Sequence, residues 1–370
     1  MPLYHATANI LGLCNCLSAG CTLIVGRKFS TSNFWNDVRS QRATVIQYVG
    51  ETLRYLLSAP VQTDPITGES LDRKHNVRIA FGNGLRPDVW NRFKDRFGIE
   101  TIAEFYSATE SPSACWNRSS NEFSRGAIGR NGPALNLMFG SQFAIVEVDW
   151  FTEVPLRSEP HNLCTKVPRG EPGELLHKVD RADIGRTYRG YFNNNKATES
   201  KLLRDVFIKG DAYFRTGDVI RYDKEGRWWF LDRIGDTFRW KSENVSTAEV
   251  SEALGTISSI HEANVYGVEV PHHDGRAGCA AIIFNREVDQ GLLDGVAAHV
   301  LKSLPRYAVP VFIRVTKDMG RTGTNKQQKY LLRNQGVEPG ADRVFWLQSG
   351  TYVEMGDKER SELGAGKVRL

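Results

Sequence analysis

Aromatic rings, hydroxyls, carboxylates and cations recur along this chain in combinations that could handle a nucleotide. FYSATE, Phe105 to Glu110, closes an apolar run. There the Tyr106 ring can stack on a base, the Thr109 hydroxyl can donate to a phosphate oxygen, and Glu110 can hold a magnesium ion. The same residues also read as a strand-to-loop junction with Tyr106 packed inward. RTGD, Arg215 to Asp218, ends in a carboxylate able to accept two ribose hydroxyl protons, or is simply a turn before a hairpin. Arg233 offers a planar guanidinium suited to phosphate, and Gly235 beside it gives backbone freedom for a rotation. The other reading of Arg233 is a surface ion pair with Asp232 or Asp236. In GNGLRP, Gly82 to Pro87, the glycines, Gly84 among them, would let backbone approach a planar ring or a phosphate. The motif is neither a Walker loop nor a dinucleotide fingerprint. Lys326, in GRTGTNKQQK, carries an ammonium that could reach a carboxylate and a phosphate during acyl transfer, or is a solvated lysine.

These groups need elements to hold them. Apolar runs at Ala43–Val49, Val77–Phe81 and Ile99–Phe105 read as buried strands. Between them lie helical patterns at Ser32–Gln41, at Glu51–Ser58 and around Trp90, Phe93 and Phe97. Alternation of this kind predicts a parallel sheet with flanking helices, whose carboxyl ends carry FYSATE and GNGLRP. From about residue 126 to 232 the chain breaks into short strands separated by Gly and Pro, a small β subdomain. It includes a hairpin with its turn at Asp223–Gly226. Beyond Thr237 a second, α+β pattern begins, with helices at Ser246–Leu254 and Gln290–Leu304 and strands at Glu262–Val270, Gly278–Phe284 and Val311–Val315.

Ala6–Val25 carries no charge and has the length of a membrane span. Asn9, Asn15, Ser18 and a C-cap glycine at Gly20 favour instead a buried helix followed by a buried strand, Thr22–Val25. Met1–His5 lacks the Lys or Arg of a secretory leader. The 370 residues exceed one core, and a net charge of +5 with no block of like charge argues against nucleic-acid binding. Six cysteines without a secretory segment read as free thiols. Cys14, Cys16 and Cys21 lack the partners that would complete a four-ligand metal set.

In order and spacing the motifs PLYH, VGETLRYLL, GNGLRP, FYSATE, the TGD turn, GDTFRWK with ENVST, and TGTNKQQK resemble one family. It is the fatty-acid transport protein and very-long-chain acyl-CoA synthetase branch of the adenylate-forming enzymes, and the likeness covers nearly the whole chain. The resemblance implies an α/β fold: residues 1–234 as part of an AMP-binding large domain and 235–370 as a small C-terminal α+β domain that rotates. It implies an AMP-forming acyl-CoA ligase using ATP, Mg2+ and coenzyme A on a fatty or other hydrophobic carboxylate, for lipid or specialised-metabolite synthesis. Tyr106 would stack on adenine with Gly84 nearby, Thr109 would contact the α-phosphate, and Glu110 would bind magnesium. Asp218 would hold the ribose, Arg233 the phosphates, and Lys326 the charge of adenylation; His5 would line the carboxylate and thiol entry. Ser242 stands where the family has a glycine beside the pantetheine arm, which puts the thioester step at issue. Ser107 replaces another family glycine. The family's TSGTTG phosphate loop should precede PLYH and has no counterpart here. The resemblance therefore also predicts exposed apolar faces, and it leaves a non-catalytic fragment or binding protein as the alternative. The terminal GKVRL is similar to a peroxisomal address, against cytoplasm or a peripheral membrane position.

Overall fold

The computed structural model describes residues 3–150, 152–241, 243–320, 329–368 and 370. Three apolar runs become β1 (Val45–Val49), β2 (Ile79–Asn83) and β3 (Thr101–Tyr106), which pair in parallel in that order. A fourth strand, β4 (Cys115–Ser119), adds antiparallel to β3. Helices α1 (Phe34–Ser40), α2 (Thr52–Ser58) and α3 (Pro87–Phe97) cover the sheet. Proline at its first position and a left-handed Gly98 at its end bound α3. Its apolar stripe, Val89, Trp90, Phe93 and Phe97, is buried against Trp35, Leu53 and Leu56. A core of this kind fixes the heights at which β2 and β3 end, and so places their terminal loops.

The expected buried helix and strand at Ala6–Val25 are corrected. Thr7–Cys14 is wound as a π-helix and Asn15–Ala19 as a short α-helix, with only Thr7, Ala8 and Gly12 buried. Thr22–Val25 is irregular, and Leu17 and Val25 are 72% and 63% exposed. A β-prone run becomes a strand only when a neighbour completes its ladder, and among the described residues β1 pairs with β2 alone. No helix among the described residues is long and apolar enough to cross a membrane.

A second sheet holds β5 (Gly129–Arg130), β6 (Phe143–Val146), β7 (Pro172–Lys178), β8 (Leu202–Arg204), β9 (Ala212–Tyr222) and β10 (Arg227–Arg233). Their order is β5-β10-β9-β7-β6, with β8 on β9. The hairpin β9–β10 turns at Asp223, whose carboxylate accepts from the Arg227 N–H at 2.9 Å and the Trp229 indole at 2.9 Å. The chain then forms a short ribbon, β11 (Phe238–Trp240) with β12 (Glu243–Val245), and enters α4 (Thr247–Gly255), capped by Ser246. A five-stranded sheet follows, of β13 (Ile260–Glu269), β14 (Arg276–Phe284), β15 (Phe312–Val315), β16 (Arg343–Gln348) and β17 (Thr351–Glu354). Helices α5 (Gln290–Ser303), α6 (Lys329–Gln335) and α7 (Asp357–Gly364) accompany it. The last two strands had no counterpart in the sequence reading.

Candidate active site

Tyr106 is the last residue of β3, and its hydroxyl donates to Asp218 Oδ2 at 2.6 Å. The other oxygen of Asp218 faces Arg233 Nε at 3.5 Å, because Asp218 and Arg233 stand opposite one another across β9 and β10. Three residues far apart in sequence thus meet at the carboxyl end of the parallel sheet. Burial, and then the Asp218 charge, hold the Tyr106 phenol well above its ordinary range, so it remains a donor. Arg233 keeps 58% of its side chain exposed and is open to a further anion. The ion pair expected with Asp232 or Asp236 is corrected to one with Asp218. Asp232 is buried and accepts from the Thr247 N–H and hydroxyl, while Asp236 pairs with Lys329 at 3.3 Å and Arg333 at 3.1 Å.

RTGD, read from the sequence as a turn, is instead a bulge inside β9, where the register against β7 shifts, and it owes its shape to Glu174 on β7. That fully buried carboxylate takes Arg215 through Nε and Nη2, the closest contact 2.7 Å, and accepts from the Gly217 N–H at 3.2 Å. Arg215 is therefore committed to structure, and its neighbour Asp218 is left to face Tyr106.

In GNGLRP two glycines do different work. A Cβ on Gly82 would lie 2.2 Å from the Tyr48 carbonyl oxygen, so β1 and β2 can approach only without it. Gly84 has φ of +80°, in the left-handed region that favours glycine. Gly82 pairs with Glu104 in the parallel ladder, and Gly84 follows just past the end of β2. The N–H groups of Gly84 and Leu85 both donate to Oε1 of Glu104, the Leu85 bond at 3.0 Å, and Tyr48 donates to the other oxygen.

Thr109 is exposed in a turn closed by the Ser111 N–H on the Ala108 carbonyl at 3.0 Å. Ser107 ties the same turn through its hydroxyl to the Ser113 carbonyl at 3.1 Å. Glu110 accepts from the Tyr191 hydroxyl at 2.7 Å, and burial together with Glu110 pushes that phenol up to about 12. His5 accepts from the Thr7 N–H at 3.3 Å, and Thr7 is tied to Gln47 of β1 and Asn83 of β2. The His5 segment thus lies against the same sheet. Gly235, at φ +87°, follows Arg233 where the chain leaves β10. Lys326 and Ser242 lie outside the described residues.

Among the described residues no three His, Cys, Asp or Glu side chains gather to hold a metal, and the six cysteines are free thiols. Glu110 fits magnesium all the same. That ion keeps several waters and is commonly held by one or two carboxylates plus phosphate oxygens, and Tyr191 engages only one Glu110 oxygen. The sequence reading passed over Glu104, Glu174 and Tyr191. Only Glu104 carried a legible sign, a lone carboxylate inside the run TIAEFY.

Residues 1–191 match the AMP-binding enzyme family and residues 249–326 the AMP-binding enzyme C-terminal domain. The chain is 42% identical over 376 residues to isopenicillin N epimerase component 1 of Hapsidospora chrysogena, covering 97% of this chain and 60% of that protein. It is 40% identical over 377 residues to the very long-chain fatty acid transport protein of Cochliobolus heterostrophus, covering 100% of this chain and 57% of the relative. The chain therefore spans somewhat over half the length of the curated relatives it matches. Its fold is similar to that of o-succinylbenzoate CoA synthetase from Bacillus subtilis in complex with its acyl-adenylate intermediate. There the TM-score is 0.63 at 22% identity, over 90% of this chain and 59% of that one. A benzoate CoA ligase from Burkholderia xenovorans gives a TM-score of 0.64 at 24% identity, over 87% and 58%.

Proposed function

Because the chain belongs to the AMP-binding enzyme family, we propose that it acts as an AMP-forming acyl-CoA ligase on a fatty or other hydrophobic carboxylate. A carboxylate oxygen attacks the α-phosphorus of ATP and pyrophosphate leaves; the sulfur of coenzyme A then attacks the acyl carbon and AMP leaves. The observation that supports this reading is the meeting of Tyr106, Asp218 and Arg233 at the carboxyl end of the parallel strands.

In this proposal the Tyr106 ring stacks on adenine beside the Gly84 loop, and Asp218 accepts the ribose hydroxyls while holding the Tyr106 phenol. Arg233 and Thr109, both exposed, take phosphate oxygens, and Glu110 holds magnesium. Magnesium, when bound, neutralises phosphate charge. Lys326 stabilises the charge that builds at adenylation, and His5 lines the entry for acid and thiol. Gly235 gives the backbone freedom for the C-terminal unit to turn between half-reactions. Ser242 stands at a glycine position of the family, and in this proposal a side chain there would hinder the thioester step. The name of the Cochliobolus relative points to a very long-chain fatty acid, and that of the Hapsidospora relative to isopenicillin N.

Supplying the chain with ATP, magnesium, coenzyme A and a panel of acids, and following pyrophosphate and acyl-CoA separately, tests the proposal. Both products are expected. Pyrophosphate alone would place the failure at Ser242, and Ser242→Gly should then restore the thioester. Neither product, with nucleotide still bound, would favour a second reading, a binding protein without catalysis. The individually exposed Leu17, Ile24 and Val25 are the feature that favours it. The proposal includes a peroxisomal address at GKVRL, with a cytoplasmic or peripheral membrane position as its alternative. Val368 and Leu370 pack against the C-terminal core, so the address would have to detach to be read.

A further inference from the structure

The short α-helix Asn15–Ala19 ends in a Schellman reversal. Gly20 stands in the left-handed region at φ +67°, its N–H reaches the Leu17 carbonyl at 3.3 Å, and the Cys21 N–H reaches the Cys16 carbonyl at 2.8 Å. Cys16 and Cys21 therefore occupy the two positions of that motif whose side chains commonly make contact. The 2.8 Å bond also limits their Cα atoms to a separation of at most about 6.7 Å, because a carbonyl oxygen and an amide nitrogen lie close to their own Cα atoms. Disulfides span such distances. Cys14 is placed differently: two residues before Cys16 on a helical turn, it projects from another face, and its thiol donates to Asn9 Oδ1 at 3.6 Å. Cys21 is exposed and Cys16 half-buried, so small molecules in solution can reach the pair.

We propose that Cys16 and Cys21 form a dithiol modification site that closes to an intramolecular disulfide, with a small-molecule disulfide of the glutathione type as oxidant. The exposed Cys21 loses its proton to solvent, and its sulfur attacks one sulfur of oxidised glutathione; a mixed disulfide forms and one glutathione thiolate leaves. Cys16 then loses its proton, its sulfur attacks the Cys21 sulfur, and the second glutathione thiolate leaves. The two released thiolates take up the two protons. Two protein thiols are thus oxidised and one glutathione disulfide is reduced to two thiols. In the fold the bond fastens the end of the helical segment that begins at Thr7, two residues after His5. Thr7, at its other end, is already tied to Gln47 and Asn83. The inference does not depend on the ligase reading.

The test equilibrates the full chain at graded ratios of oxidised to reduced glutathione, quenches with acid, alkylates the remaining thiols and weighs the tryptic peptide that ends at Arg27. That peptide holds Cys14, Cys16 and Cys21 and no other cysteine. In the native chain it should lose two hydrogens and take one alkyl group, on Cys14. Cys14→Ser should close as readily, whereas Cys16→Ser and Cys21→Ser should not close at all. Gly20→Val keeps all three thiols but sets a β-branched residue at positive φ, and should need a ratio about tenfold more oxidising. None of the substituted positions is buried, so the core is left intact. The inference is overturned if the native chain stops at the glutathione adduct, if closure survives Cys16→Ser or requires Cys14, or if Gly20→Val closes at the native ratio.

Discussion

Single residues here are decided by what lies within hydrogen-bonding distance, and two of them illustrate opposite outcomes. Glu174 is fully buried yet paired with Arg215 and the Gly217 N–H, so its charge is matched. Glu174→Ala leaves the Arg215 guanidinium without its carboxylate and should cost about 3 kcal/mol in denaturant unfolding, with ATP binding weakened as the RTGD bulge of β9 loosens. His177, on β7, is 2% exposed, lies between Phe143 and Phe214, and neither ring nitrogen has a hydrogen-bond partner among the described residues. Burial lowers its pKa to about 4. Because the folded state binds the proton less tightly than the unfolded chain, the His177 contribution is intact above the unfolded value near 6.5. It is lost as pH falls from there towards 4. His177→Leu should therefore narrow the gap between thermal midpoints measured at pH 7 and pH 5. An unchanged gap would show that other groups govern the acid limb.

At the scale of elements, the close approach of β1 and β2 depends on Gly82. Gly82→Ala sets a Cβ against the Tyr48 carbonyl, where no flexible side chain can yield, and should destabilise the protein by about 3 kcal/mol. Nucleotide titration of any folded fraction should show weaker binding, since the strands must separate. The sequence reading found these strands because buried parallel strands are continuous apolar runs, and found α3 because Trp90, Phe93 and Phe97 recur at helical spacing. It erred at Thr22–Val25, where β-prone composition met no neighbouring strand among the described residues. It missed β4, whose sequence CWNRS alternates weakly and pairs only because β3 offers an edge.

Across the whole molecule, contacts between the two halves extend beyond the linker. Arg86 donates to the Ala263 carbonyl at 3.4 Å, the Tyr55 and His261 rings stack at 6.2 Å, and Asp232 holds the start of α4. Apolar surface is less evenly managed. Ile10, Leu17, Ile24 and Val25 are all more than two-fifths exposed at the start of the chain. Apolar side chains left in water this way should favour self-association, so light scattering coupled to size exclusion should show concentration-dependent mass, relieved by Leu17→Lys with Val25→Lys. A mass unaffected by those changes would place the association elsewhere.

By itself the sequence determined the strand and helix alternation, the hairpin at Asp223 and the motifs that carry family membership. All of these are set by neighbours along the chain: periodicity, turn chemistry and local order. Only the tertiary structure decided that Arg233 faces Asp218 rather than Asp232, that Arg215 is held by Glu174, that Glu110 meets Tyr191, and that Glu104 holds the loop at Gly84. The physical reason is that charge pairing and hydrogen bonding depend on distance in space. Strand register brings together residues such as Tyr106 and Asp218, which no spacing along the chain relates.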